Sequence, residues 1–252
     1  MLGLASGTHY KNYTDIIPSD IPNLEIWLQN GVSVGAAGWE DSSGNSRDAA
    51  QSDATMRASV EDGGLLFDST NPEDFYEFPT AYLNLGGTVA WTLFVVLKRN
   101  GGAADENTII SGDHQDQHMR FENEETLHLQ TTDAGSGIPS GQSGVASKFV
   151  FATDTWANNE KLIFTIVKSA VGGYTFAKNG QTVSGIETGA ANTVNIGQNF
   201  KVKHLGARED GTATDDDHFS GNIYEFILYK SKLTDSNIDD VHSYLKNKFQ
   251  SI

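Results

Sequence analysis

The stretch HFSGNIYEFILYKSKLTDSNIDDVHSYLKNKFQSI, residues 218–252, contains the two elements that decide the fold. Its first part, Gly221 to Tyr229, is apolar on one side of a strand and nearly apolar on the other. The alternation of a strand puts two sets of side chains on opposite faces: Tyr224, Phe226 and Leu228, and Ile223, Glu225 and Ile227. Such a strand is typical of the interior of a sheet that is covered on both faces.

The second part of this stretch has the signals of one amphipathic helix. Thr234 is a predicted N-cap, and Leu233 can pack onto Ile238 one turn later. Acidic residues crowd the first turns and lysines the last turn, as the helix dipole favours. The apolar positions repeat at spacings of three and four: Ile238, Val241, Leu245 and Phe249. We therefore expect one C-terminal α-helix docked on a sheet.

Composition limits the class of protein and the kinds of partner. The chain has 252 residues, 26 Gly, 5 Pro and no Cys, which excludes disulfides, cysteine-based zinc sites and a cysteine nucleophile. The formal charge of −16 opposes binding to nucleic acid or to an anionic membrane. It suits a cationic partner or bound Ca²⁺, although a merely solvated acidic surface has the same composition. No apolar run reaches 18 residues, so we expect no membrane insertion.

The N-terminal segment, residues 1–22, is polar, poor in core residues and closed by two prolines. It lacks a basic region followed by an apolar run, so no secretion signal is predicted. We interpret it as an extended arm. Two alternatives stay open, a mobile terminus and a tether that orders against another subunit.

The rest of the chain, residues 23–252, predicts a single all-β domain. About a dozen short apolar or alternating segments are separated by turn residues, which is typical of a β-sandwich. The clearest strands are Asn23 to Gln29, Trp91 to Lys98 and Lys161 to Lys168, and Asn179-Gly180 predicts a tight hairpin turn. The Gly-, Ser- and Asp-rich residues 31–64 predict a long irregular connection.

Three features together resemble the laminin-G-like and concanavalin A-like jelly-roll family over about Asn23 to Phe249. The most specific is the ending GNIYEFILYKSKLTDSNIDDVHSYL, and the others are DSSGNSRDA at Asp41 to Ala49 and the Asn179-Gly180 hairpin. The resemblance implies a concanavalin A-like antiparallel β-sandwich, or jelly roll, with one C-terminal α-helix.

The resemblance also suggests a function. A lone sandwich domain with a polar arm and no export signal is similar to structural proteins of tailed-phage virions. We therefore expect a non-catalytic capsid decoration or fibre component, located in the virion, whose arm binds other virion proteins or copies of itself. The alternative is a secreted or surface lectin-like module that binds carbohydrate.

Two aromatic residues outside the strong strands are candidates for glycan binding. Trp39 lies in GWEDSSGN and Trp156 in DTWANNE. Sugar faces stack on exposed aromatic rings, and neighbouring Asn and Asp side chains bind hydroxyls. The alternative for both residues is packing at the edge of the sandwich.

Two stretches are candidate metal sites, although we expect no obligatory cofactor. An acidic loop could offer oxygen ligands to Ca²⁺: Asp210, Asp215, Asp216 and Asp217. In GDHQDQHM, a spacing of two would put three side chains on one strand face: His114, Asp116 and His118. The alternative for each stretch is an exposed polar loop that binds no metal.

Catalysis is not expected, and a glycoside hydrolase is the second alternative function. Sandwich glycosidases need two carboxylates on one concave sheet face, and the chain has no E-x-D-x-x-E strand. Two acidic groups are instead interpreted as solvated turn residues: Glu73, Asp74 and Glu77, and Glu122, Glu124 and Glu125.

Overall fold

A computed structural model describes most of the chain as a two-sheet sandwich. It covers residues 16–68, 74–79, 83–86, 88–100, 107–112, 117–123, 126–131, 145–151, 156–170, 173–188, 200–208 and 218–250. The strands, in chain order, are β1 (Leu24–Leu28), β2 (Val34–Gly35), β3 (Gly38–Trp39), β4 (Ala49–Ala50), β5 (Ser59–Glu61), β6 (Gly64–Phe67), β7 (Tyr76–Glu77), β8 (Trp91–Arg99), β9 (Asn107–Ser111), β10 (His118–Phe121), β11 (Thr126–Thr131), β12 (Val145–Phe151), β13 (Lys161–Lys168), β14 (Tyr174–Lys178), β15 (Gln181–Val183), β16 (Gly185–Thr188), β17 (His204–Leu205) and β18 (Gly221–Tyr229). The helix α1 spans Asp235–Lys248.

Both sheets are antiparallel. The first sheet has the order β15-β14-β13-β8-β18-β6-β5, and β1 also pairs with β18. The second has the order β16-β12-β11-β10-β9-β17-β7-β4-β3-β2. Two packed antiparallel sheets with one C-terminal helix confirm the predicted concanavalin A-like β-sandwich.

The layers follow from the apolar pattern of the central strands. β18 is buried along all nine residues, as predicted, because the second sheet covers one face and α1 covers the other. The main core lies between the sheets and includes Leu93, Phe164 and Phe226. A second apolar cluster, which includes Phe94, lies between the first sheet and α1.

One part of the predicted alternation in β18 is wrong. The pairing of β18 with β8 shifts between Ile223 and Glu225. Ile223 therefore lies in the main core with Phe226, whereas Tyr224 lies on the helix side with Ile227. An extra residue in a β-bulge reverses the faces before it, and alternation alone gives no sign of where it falls.

The helix follows the prediction closely. The Thr234 hydroxyl accepts a hydrogen bond from the Asn237 amide at 3.3 Å, which confirms the N-cap. Val241 and Leu245 are buried in the helix-side cluster. Among the described residues, no helix is both long enough and apolar enough to cross a membrane.

The end of the predicted arm belongs to the folded domain. Pro18–Asp20 forms a 3-10 turn rather than extended chain, and the Tyr229 hydroxyl donates to the Pro18 carbonyl at 2.9 Å. Ile21 is buried in the helix-side cluster. Residues 1–15 lie outside the described residues, so the prediction of a tether applies to them alone.

The predicted irregular connection at residues 31–64 is more regular than its composition indicates. It contains β2 to β5 and one further 3-10 turn, Ala54–Met56. The strands are two or three residues long, too short to produce a visible hydrophobic period. β2 ends the second sheet and β5 ends the first, so this segment forms one lateral edge of the sandwich.

Candidate functional site

Trp39 is not an exposed platform for sugar. It lies on β3 with 0% of its surface exposed, and its Nε1 donates to the Gln29 carbonyl at 3.1 Å. Trp156 also has 0% exposure; its ring lies edge-on to Phe164, with centroids 4.8 Å apart. The glycan-stacking interpretation of both residues is therefore corrected to the alternative, packing within the sandwich.

The DSSGNSRDA motif fixes a loop onto β1. The Asp41 carboxylate accepts hydrogen bonds from the amides of Trp27 at 2.9 Å, Ser43 at 2.9 Å and Arg47 at 3.1 Å. The Asn45 side-chain amide donates to the Leu24 carbonyl at 2.9 Å. Because the polar groups of Asp41 and Asn45 bind the protein itself, this part of the motif positions its surroundings.

An open cleft of about 450 Å³ lies beside this loop, at the lateral edge made by β2, β3 and β4. Its lining consists mostly of small residues together with Trp39 and two carboxylates: Ser33, Val34, Gly35, Ala37, Gly38, Trp39, Glu40, Asp48, Ala49 and Ala50. We call this feature the edge cleft. Trp39 thus contributes to the floor of a concave site although its ring is not available for stacking.

Several hydrogen bonds hold the β2–β3 hairpin that forms one wall of the edge cleft. The Tyr76 hydroxyl donates a hydrogen bond to the Ala36 carbonyl at 2.9 Å, and the Gln51 backbone N–H donates one to the Ala37 carbonyl at 3.0 Å. Burial raises the pKa of Tyr76 to about 12, so this donor keeps its proton at neutral pH. Gly38 is needed because a Cβ there would lie 2.9 Å from the Ala49 carbonyl oxygen. The wall is therefore preformed.

A second polar feature lies on the face of the second sheet that points away from the core. We call it the polar face, and its members come from five strands and one turn: Glu77, Ser111, His118, Arg120, Glu122, His128 and His204. Met119 and Leu129, which alternate with them, lie in the main core. The polar face is the half of the β alternation that does not contribute to the main core, although most of its side chains are buried.

The polar face contains two series of hydrogen-bond and ion-pair contacts. In one, Glu77 Oε1 lies 3.5 Å from His204 Nε2, and His204 Nδ1 lies 3.3 Å from Ser111 Oγ. In the other, Glu122 Oε1 lies 3.1 Å from His128 Nδ1. His128 Nδ1 also lies 3.5 Å from His118 Nε2.

Ser111, His204 and Glu77 resemble a nucleophile, a base and a carboxylate in that order, but their geometry does not favour catalysis. His204 Nδ1 also lies 3.2 Å from the Gly112 carbonyl. That contact competes for the nitrogen that would have to accept the Ser111 proton. Ser111 is also fully buried, with 0% exposure. These three side chains are better explained as hydrogen bonding within the sheet.

The predicted acidic groups do not form a carboxylate pair in the described part of the chain. Glu77 on β7 and Glu122 after β10 are separated by β17 and β9, which amounts to about 14 Å at the usual strand spacing. Glycosidases need roughly 5–9.5 Å between their carboxyl groups. Asp74 is instead buried, and burial raises its pKa, while its carboxylate accepts from the Asp68 amide at 2.8 Å. Glu73, Glu124 and Glu125 lie outside the described residues.

The predicted metal sites are not tested by the structure. Six of the candidate ligands lie outside the described residues: His114, Asp116, Asp210, Asp215, Asp216 and Asp217. His118 is described, and it lies on the polar face with 1% exposure. Within the described residues, no three His, Cys, Asp or Glu side chains are arranged to hold a metal.

Comparison with known proteins adds evidence about the fold. No protein-family model and no curated protein sequence matches the chain. Solved structures do match. A sialidase from Trypanosoma rangeli, in complex with sialic acid, is 15% identical with a TM-score of 0.59, over 90% of this chain and 33% of that one.

Two toxin domains are similar to the same extent. The binding domain of Paraclostridial Mosquitocidal Protein 1 has a TM-score of 0.62 at 12% identity, over 92% of this chain and 54% of that one. The binding domain of botulinum neurotoxin DC, in complex with rat synaptotagmin II, has a TM-score of 0.59 at 14% identity, over 91% and 52%. The chain thus spans between a third and about half of the length of these proteins. At such low identity the similarity shows the β-sandwich fold alone, and none of the three structures is described as a laminin-G domain or a phage protein.

Proposed function

We propose that this chain is a non-catalytic, lectin-like binding module whose edge cleft contacts glycans. The observation that carries the proposal is the edge cleft itself, an open concavity of about 450 Å³ whose described lining combines small residues with hydrogen-bonding groups. Binding sites for small ligands are concave, largely preformed and lined by apolar surface with a few oriented polar groups. The fold likeness to toxin binding domains and to a sialidase supports a binding module.

The chemistry of the edge cleft suits a sugar. Glu40 and Asp48 are exposed carboxylates that can accept hydrogen bonds from sugar hydroxyls, and the Ser33 hydroxyl can donate or accept. Ala37 and Ala50 are exposed small residues on which an apolar sugar face can lie without steric conflict. The hydrogen-bonded hairpin reduces the ordering needed on binding.

Ala50→Trp is expected to abolish glycan binding because the indole would fill the edge cleft. Ala50 is exposed, so the larger side chain need not disturb the core. We expect the native chain to bind at least one oligosaccharide on an array of neutral, amino and acidic glycans. Titration calorimetry should then show an affinity at least about tenfold lower for Ala50→Trp.

The matched control is Thr182→Trp. Thr182 is an exposed strand residue on β15, at the opposite end of the first sheet from β5. This variant should bind like the native chain. A silent array, or equal binding by native chain and Ala50→Trp, would contradict the proposal.

The virion role remains a separate prediction from the sequence. Its support is the acidic composition and the similarity inferred from the sequence, and its predicted attachment device is the N-terminal arm, of which residues 1–15 lie outside the described residues. It requires that the chain co-purify with particles and that deletion of residues 1–15 release it. Location in a virion and location outside a cell are both consistent with a glycan-binding domain.

A further inference from the structure

The charged side chains that line the edge cleft are both acidic. The ten described residues that line it include two carboxylates, those of Glu40 and Asp48, and among these ten there is no Lys, Arg or His. Asp48 Oδ1 accepts a hydrogen bond from the Asp41 backbone amide at 2.8 Å, which orients the side chain. Glu40 is fixed through its backbone, because its amide donates to the Ser33 carbonyl at 3.2 Å. The site therefore has a formal charge of −2.

The cations nearest in sequence are committed to other groups. Arg47 Nη2 lies 3.0 Å from Glu25 Oε2 in an ion pair. Arg57 donates to the carbonyls of Gln51 at 2.9 Å and Ser52 at 3.0 Å. Neither arginine lines the edge cleft, and the chain as a whole has a formal charge of −16. The two lining carboxylates and the negative formal charge of the chain both favour a cationic over an anionic ligand.

We infer that the edge cleft selects saccharides that carry free amino groups over neutral saccharides and rejects those that carry carboxylates. The inference rests on the proposed function, because it concerns the ligand of the same site. A protonated amino sugar keeps the hydroxyls that the cleft can bind and adds an ammonium group that Glu40 and Asp48 can pair with. A sugar carboxylate in the same place meets two like charges at short range.

The size of this preference follows from the exposure of the two carboxylates. Glu40 and Asp48 are exposed and the cleft is open, so water screens their charges. A surface ion pair gives only a modest gain, roughly twofold to fivefold in affinity for each carboxylate. Two carboxylates should therefore favour an amino saccharide by about tenfold at low salt.

Three tetrasaccharide probes separate charge from shape: a β-1,4-linked glucosamine tetramer, its fully N-acetylated form, and a galacturonic acid tetramer. Calorimetric titrations should be run below the amine pKa, at low and at high salt. We expect the glucosamine tetramer to bind about tenfold more tightly than the N-acetylated form, and no measurable binding of the galacturonate. Salt should remove most of the advantage because exposed charges are screened.

The double variant Glu40→Gln with Asp48→Asn tests whether these two carboxylates are responsible. Both changes keep the shape, and the amide introduced at position 48 would still offer an oxygen to the Asp41 backbone N–H. The readout is the ratio of the two affinities within the variant, because the new amides also change the hydrogen bonds to the hydroxyls of both tetramers. This ratio should fall from about ten to about one. The control is Asp239→Asn with Asp240→Asn on α1, which changes the net charge equally and should leave the preference intact.

The outcomes distinguish the inference from the proposed function. Equal binding of the two glucosamine-based tetramers, or tighter binding of the galacturonate, would overturn the inference and leave glycan binding standing. A preference that survives in the cleft variant but falls in the helix variant would also overturn it, since the overall charge would then be the cause. A chain that binds no glycan on the array and none of these probes would refute the proposed function itself.

Discussion

Glu225→Ala is expected to destabilise the protein by about 3–5 kcal/mol. Glu225 lies on β18 with 0% of its side chain exposed, between the first sheet and α1. Its Oε1 accepts from Trp27 Nε1 and from the Tyr244 hydroxyl, each at 2.8 Å. Lys248 Nζ lies 2.9 Å from its Oε2. Removal of the carboxylate would leave three polar groups around a new cavity without their common partner.

The same contacts affect Tyr244. Burial raises its pKa above the usual range, and the Glu225 charge adds to the effect, so the hydroxyl remains a donor. Tyr244 and Lys248 both belong to α1. One buried carboxylate therefore holds the C-terminal half of the helix to the sheet.

Urea denaturation at pH 7 measures this effect. Lys248→Met should also destabilise, by about 3–5 kcal/mol, because it leaves the fully buried Glu225 carboxylate without its cation. The Glu225→Ala, Lys248→Met double variant should be clearly less destabilised than the sum of the singles, since the two groups are in contact. Simple additivity would contradict the proposed ion pair.

Acid is expected to weaken the docking of α1 through His242. This side chain is 5% exposed, and its Nε2 lies 2.9 Å from Thr165 Oγ1 on β13. Burial lowers the pKa of His242 from 6.5 to about 4, and the nearby Lys246 charge adds to the shift. The folded state therefore binds fewer protons than the unfolded state between about pH 4 and 6.5. This group's contribution to stability is intact above pH 6.5, and about 3 kcal/mol of it is lost as the pH falls to 4.

His242→Gln separates this histidine from the other titrating groups. The amide can keep a hydrogen bond to Thr165 and cannot gain a charge in this range. The free energy of unfolding should be measured for both proteins from pH 4 to pH 8. We expect the free energy of unfolding to fall more steeply for the native chain than for the variant below pH 6.5. Parallel curves would show that His242 does not become protonated on unfolding in this range.

The capped helix and the hairpin turn were predicted accurately because their sequence signals are local. The Thr234 cap, the apolar stripe of α1 and the Asn179-Gly180 turn each depend on residues that are close in sequence. Asn179 and Gly180 have φ angles of +52° and +80°, as a type I′ turn requires. The swapped faces of Ile223 and Tyr224 depend on the neighbouring strand β8, and the sequence of β18 does not show this.

The binding features were harder to predict because they depend on distant pairings. Trp39 lies among Gly, Ser and Asp residues, which favoured an exposed position. Its burial follows from the pairing of β3 with β4 and from the main core beneath it. The edge cleft is formed by strands of two residues, which leave no periodic pattern.

The contacts of the polar face were also harder to predict, because they too depend on strand pairing. His118 and His128 are ten residues apart in sequence, yet their rings are T-shaped neighbours with centroids 4.9 Å apart. Their contact depends on the pairing register of β10 with β11, in which Arg120 is opposite His128. The alternation of LHLQ after Thr126 predicted a strand, but not the register in which it pairs with β10.

The most direct test of the account is to map saccharide contacts on the protein by NMR. In amide spectra recorded during titration with the glucosamine and N-acetylglucosamine tetramers, we expect shifts concentrated in residues 33–40 and 48–50. The amide signals of residues in β14 and β15 should not shift. Shifts confined to the polar face around His128, or no shifts at saturating saccharide, would contradict the claim that the edge cleft is the binding site.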